Sequence, residues 1–191
     1  MELRESIIEC AVDLFSTNGL RFTMQDVAKR LHIAKKTIYG CFESKQALLC
    51  AMLDEGFARI QADKKAIMES DLELCEKIRK AMVAIPDQYS VLDFRMLAEL
   101  NEKYPDVYER LVMHLENNWE PVIALLEQGI RLGEIRPVSI PLFRQMFTAS
   151  IESFLNNDML SKENLSWNQA LEEMMDILMD GVRKRVNNEN Q

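Results

Sequence analysis

Apolar residues recur along this chain at intervals of three and four, the spacing of one face of an α-helix. In residues 2–18 the stripe is Ile7, Ile8, Ala11, Leu14 and Phe15, and Asn18-Gly19 supplies the C-cap chemistry that ends it. Residues 22–45 predict two short helices around a tight turn. Thr23-Met-Gln-Asp26 has the capping-box pattern, and Val27, Ala28 and Leu31 follow on one face. The chain turns at Leu31–Ala34. In the next helix Ile38 and Phe42 face inward, while Lys35, Lys36, Thr37 and Tyr39 point out. Ser44 is placed to cap a long helix reaching about residue 65, with Leu49, Met52, Leu53, Gly56 and Ile60 on its apolar face.

The same period continues. Residues 71–84 predict a helix broken by Pro86-Asp87, then 88–103 broken by Tyr104-Pro105, then 105–132 with an interruption or kink at Pro121. Residues 133–137 read as a turn. A helix opens at Ser139 with Pro141 in its first turn, a polar loop covers 156–164, and a last helix begins near Trp167. Alternating strand patterns are absent, so the chain reads as all-α. At 191 residues it suits one domain or two small ones.

The paired short helices have the helix-turn-helix layout. Lysines, a small hydroxyl and an aromatic hydroxyl on one exposed face suit phosphates and base edges in a major groove. Two packed helices of a bundle with a solvated basic edge would give the same pattern. At Phe22-Thr23, Val27-Ala28, Ile33, Thr37-Ile38-Tyr39, Phe42, Ser44-Lys45 and Ala47-Leu48 the stretch resembles the DNA-binding domain of the tetracycline-repressor (TetR) family of transcription regulators. Three positions depart from the family pattern. His32 stands where the turn usually carries Gly, Ala34 stands where a hydroxyl usually caps the recognition helix, and Cys41 stands where an aromatic is frequent.

The resemblance implies an N-terminal three-helix DNA-binding domain over 1–46 and a helical effector-binding and dimerisation domain over 47–187, with 188–191 a disordered tail. It implies a homodimer on double-stranded DNA with a pseudo-palindromic operator, and a small-molecule effector. The long helix from Ser44 would link the two domains mechanically. The other reading is a helical protein–protein interaction module in which the helix-turn-helix is only structural.

Charge adjusts this picture without overturning it. The net charge of −8 looks wrong for a DNA binder, but residues 1–50 hold seven basic and six acidic groups, so the acidic excess lies beyond them. Of the four cysteines, Cys10, Cys41, Cys50 and Cys75, none form a Cys-x-x-Cys pair. With only His32 and His114 as imidazoles, no metal site is expected. Cys10 and Cys50 read as small buried hydrophobes. No phosphate loop, nucleophile elbow or paired catalytic carboxylate is visible, so the chain does not read as an enzyme and no cofactor is expected. No apolar run spans a membrane, and a cytoplasmic protein is expected.

The expected DNA contacts are Thr23, Gln25, Lys35, Lys36, Thr37, Tyr39 and Lys45. Thr23 and Lys45, at helix N-termini, would touch phosphates; Thr37 and Tyr39 would reach base edges; the two neighbouring lysines would take guanine or phosphate. A dimer would set two recognition helices about 34–36 Å apart. Wide apolar bands in the last two long helices give Phe143, Phe147, Ile151, Phe154, Trp167, Leu171, Met174 and Leu178 as the expected dimer interface, with internal core as the other reading. Met82, Phe94, Met96, Met113, Trp119 and Phe147 are candidates to line an effector pocket, with Arg95 and Glu99 as its polar contacts.

Overall fold

A computed structural model describes residues 3–85, 98–156 and 159–184. Helices α1 (Leu3–Asn18), α2 (Met24–Arg30), α3 (Lys35–Cys41), α4 (Lys45–Glu69) and α5 (Leu74–Val83) come first. After them come α6 (Ala98–Lys103), α7 (Pro105–Glu116), α8 (Glu120–Leu132), α9 (Ile140–Asn156), α10 (Met159–Lys162) and α11 (Trp167–Val182). No strand occurs among the described residues; a lone antiparallel bridge pairs Ile135 with Arg183. No described helix is long and apolar enough to cross a membrane.

The described residues fall into two packed units, those within 1–60 and 85–115, and those within 61–84 and 116–191. This division by packing differs from the functional boundary expected after residue 46, because α6 and α7 join the helix-turn-helix. Helix α4 is uninterrupted through Ile60 and Gln61.

In the first unit, α1 buries Ile7, Ile8, Ala11, Leu14 and Phe15, the stripe its periodicity predicts. It packs against the 3-10 turn Gly19–Arg21 and against α2, and α2 packs on α3. Val27 and Ile38 are fully buried, as are Leu48 of α4 and Val107 of α7. Each such side chain contributes about 1.5–3 kcal/mol. Gly19 takes the left-handed conformation, φ 55°, that lets the chain leave α1 without a Cβ clash.

In the second unit, α5 packs on α8 and α11. Arg79 of α5 donates to Asp176 of α11 at 2.6 Å, and this bond holds the Asp176 carboxyl below its ordinary pKa. Gly129 allows a close approach here: a Cβ at that position would lie 2.6 Å from the Ile135 side chain and 2.9 Å from the Leu74 side chain, so both would have to shift. The turn after α8 is tied to the end of α11 by Arg136 N–H to the Val182 carbonyl and Lys184 N–H to the Glu134 carbonyl.

Two expectations change. Pro121 does not kink a helix: the break falls at 117–119, where Asn118 is left-handed at φ 65°, and Pro121 sits in the first turn of α8, where its missing N–H costs nothing. The polar loop 156–164 contains α10, anchored by the fully buried Leu160. The expected tail 188–191 lies outside the described residues.

Candidate nucleic-acid interface

The helix-turn-helix begins at Thr23. Its hydroxyl accepts from the Asp26 N–H at 3.2 Å and donates to Asp26 Oδ2 at 2.7 Å, and its backbone N–H donates to the same oxygen at 2.9 Å. Those bonds hold the Asp26 carboxyl below its ordinary pKa. The box closes both ends of an otherwise open first turn. At the far end His32 sits at φ 55°, and the Ile33 N–H reaches back to the Ala28 carbonyl at 3.0 Å. His32 therefore occupies the left-handed position that the family usually gives to glycine. Ala34 begins α3 with extended backbone and no side-chain cap.

Ile38 and Phe42 are buried, so α3 has only one face left to present. On it Lys35, Lys36 and Tyr39 are exposed, Tyr39 at 44%, while Thr37 is half-buried. The Lys35 ammonium lies 5.6 Å from the centre of the Tyr39 ring. Gly40 adds no bulk and faces open space. Thr23 and Gln25 are exposed on the flanking helix start. Arg4 is an addition that sequence reasoning missed. Its guanidinium stacks 4.9 Å over the Phe42 ring, which puts another cation beside the end of α3. A residue 38 positions upstream carries no local signal of that contact.

Lys45 departs from expectation. Its ammonium donates to the Leu20 carbonyl at 2.6 Å and the Phe22 carbonyl at 2.5 Å, and lies 4.3 Å over the Phe22 ring. Burial, then the nearby Lys103 charge, pushes its pKa down. The side chain folds back to fasten the entry to α2 instead of extending toward a phosphate. Two unpaired carbonyls are a closer and less hydrated target than bulk solvent.

Helix α7 braces α4. Arg110 grips Asp54 with two bonds of 2.6 Å, and His114 Nε2 lies 2.9 Å from Asp54 Oδ1. Burial opposes the Asp54 charge, but the bonds from Arg110 and His114 outweigh it and hold its pKa low. The Phe57 and His114 rings stack at 4.4 Å, and Gln46 donates to Asp106 at 2.6 Å. The helix-turn-helix is thus mounted on a rigid support.

Residues 7–52 match the family model described as bacterial regulatory proteins, tetR family. The match covers the helix-turn-helix and the start of α4, about a quarter of the chain. It is similar to the uncharacterized HTH-type transcriptional regulator YvaF of Bacillus subtilis (strain 168), 27% identical over 88% of this chain and 90% of that one. Two solved structures share the fold of this chain. One is a TetR-family transcriptional regulator from Cytophaga hutchinsonii, TM-score 0.70, 18% identical, covering 95% of each chain. The other is the transcriptional regulator FadR from Bacillus subtilis in complex with stearoyl-CoA, TM-score 0.61, 19% identical, covering 94% of this chain and 99% of that one. The chain is a DNA-binding regulator, and the matches reported are to regulators, not to enzymes. Among the described residues no group of His, Cys, Asp and Glu could hold a metal.

The remaining expected site residues lie elsewhere in the chain. Phe143, Phe147, Ile151, Phe154, Leu171 and Leu178 are buried within the single chain, and Trp167 and Met174 are half-buried. The band on α9 and α11 is thus largely internal core, not a free partner surface. Phe154 meets Trp167 edge to face at 6.1 Å, and Phe147 meets Trp119 in the same way at 5.4 Å. Of the ligand candidates, Met82 and Trp119 are also buried, Met113 is exposed, and Glu99 pairs with Lys103 at 2.7 Å on the surface. Phe94, Arg95 and Met96 lie outside the described residues.

Proposed function

We propose that this regulator is a homodimeric cytoplasmic repressor that binds a pseudo-palindromic operator and leaves it when a small molecule binds. The observation that carries the DNA side is the exposed face of α3. Lys35, Lys36 and Tyr39 project from a helix whose other face is buried, on a mount fixed by the Thr23–Asp26 box and the α7 brace. Thr37 and Tyr39 read base edges. Lys35 and Lys36 take guanine or phosphate, Gln25, Thr23 and Arg4 flank them on the backbone, and Lys45 acts in folding.

Homodimerisation is assigned to what the core leaves outside. Leu142 and Met146, one turn apart on α9, are exposed, and Ile177 on α11 is 73% exposed. Gly181, one turn further along α11, has open space where a side chain would stand. A two-fold dimer buries such a stripe against its own copy. The stearoyl-CoA complex of a neighbour with this fold supports the effector part of the reading.

The test is a binding series on a duplex from the chain's own upstream region and on a scrambled duplex, across salt. Tyr39→Ala should cost about 1–3 kcal/mol on the operator and little on the scrambled duplex. Equal losses on both would move Tyr39 to the phosphate class, and binding indifferent to salt would end the DNA reading. Sedimentation of Ile177→Glu should show monomer where the parent shows dimer.

A further inference from the structure

A cleft of ≈ 690 Å³ lies in the second unit, bounded by α8, residues 138–139 and the first half of α9. That volume falls in the range of small-molecule sites. We propose that this cleft binds a small organic cation with an apolar body. As the effector site, it rests on the repressor reading above; as a binding site, it rests on its own walls.

Thr148 forms part of those walls and is only 9% exposed. Its hydroxyl is the one buried side-chain polar atom without a hydrogen-bond partner among the described residues. Native proteins rarely leave such a group unmatched, because its lost hydration is not returned. A helical threonine populates two χ1 wells, and a ligand seated against Thr148 supplies the missing partner.

The charge of the ligand follows from the other polar groups. Glu116 and Glu127 line the cleft, and neither carboxylate has an ion-pair partner among the described residues. Arg144 also lines it, where its guanidinium donates to the Glu116 carbonyl and lies 5.7 Å over the Trp119 ring; neither contact cancels its single positive charge. The start of α9 offers little to an anion. Pro141 has no N–H, and the N–H groups of Leu142 and Phe143 are spent on Ser139 at 3.3 and 3.0 Å. Two carboxylates against one guanidinium leave the lining net negative, which favours a positive ligand. Ile123, Val138 and Ile140 give its body an apolar bed.

The test uses the full chain and three probes of one shape: 1-naphthylmethylamine, 1-naphthalenemethanol and 1-naphthoic acid, titrated calorimetrically at neutral pH. The amine should bind at least about tenfold more tightly than the alcohol, and the acid more weakly than either. Glu127→Gln or Glu116→Gln should bring the amine to the level of the alcohol. Thr148→Val keeps the shape; it should raise the melting temperature of the free protein and weaken the amine severalfold. Equal binding of the three probes, tighter binding of the acid, or no saturable heat from the amine would each overturn the proposal. So would a preference for the amine that survives both glutamine variants. Operator affinity on the same preparations reads the repressor proposal separately. Amine binding without DNA binding would sink that reading and leave the cleft standing.

Discussion

Helices α2 and α3 are neighbours of seven residues each, yet they are stabilised in opposite ways. α2 has every local advantage: a reciprocal cap, an acid in its first turn and Lys29 and Arg30 in its last. Those charges complement the helix dipole at both ends. α3 has none of these. It opens at uncapped Ala34, carries Lys35 and Lys36 at its positive end and has no basic residue in its last turn. Alone it would be a poor helix. It persists because Ile38 and Phe42 are buried beneath it. The contrast teaches where the regulator places its misfit charge. The positioning helix is internally complete, while the recognition helix carries unbalanced cations that a phosphate backbone can answer.

The largest way to break this contrast is to unfasten the entry of α2. Lys45→Met keeps the chain length but strands the Leu20 and Phe22 carbonyls that the ammonium now satisfies. We expect about 2 kcal/mol of lost stability, since charged donors to buried acceptors are worth about 1.5–3. Chemical denaturation reads it. The slope of log affinity against log salt should stay unchanged, because no phosphate contact is removed. A slope reduced by about one, with stability intact, would return Lys45 to the DNA face.

That residue also shows what the sequence could and could not reveal. Helices α1 to α5 and the Thr23 box were legible, because each rests on residues within four positions of one another, and the family resemblance flagged the turn at His32 and the missing cap at Ala34. The double commitment of Lys45 was not, because its acceptors are backbone carbonyls more than twenty residues away. The Arg110–Asp54 grip and the Arg4–Phe42 stack were hidden for the same reason. The box at Ser166 and Gln169 that opens α11 was legible and overlooked. The apolar bands of α9 and α11 were visible, but periodicity cannot divide core from interface. Phe154 and Ile177 look alike in the sequence, and only packing buries one and exposes the other. The cleft could not be read at all, since an unmatched Thr148 hydroxyl is a property of its surroundings.

A smaller change attacks the cap itself. Thr23→Ala removes the hydroxyl from the box and should cost about 1 kcal/mol. The loss should depend on pH in a stated direction. The Asp26 pKa is depressed by the Thr23 bonds, so the stabilisation exists above the ordinary carboxylate range and fades as pH falls through the depressed value. Parent and variant should therefore differ in unfolding midpoint at neutral pH and converge in acid. A constant difference down to low pH would mean that Asp26 contributes nothing through its charge.

The smallest effect is expected where the contrast is repaired, not broken. Ala34 has φ −69° and ψ 143°, the extended backbone of an N-cap, so a serine fits there without strain. Its hydroxyl would accept from a first-turn N–H of α3, and Ala34→Ser should gain about 0.5 kcal/mol, the low end for a new cap on a short exposed helix. Operator affinity should change by less than about twofold. The burial of Ile38 and Phe42 already holds α3 in the free protein, so a cap has little disorder left to remove. Denaturation and operator titration of the same variant separate two accounts of the recognition helix. A rise in affinity matching the rise in stability would show that α3 orders only on DNA, and its lack of a cap would then be an entropic cost of binding. A gain in stability alone would show that α3 is built by its neighbours before DNA arrives, with its exposed lysines the sole part left unbalanced.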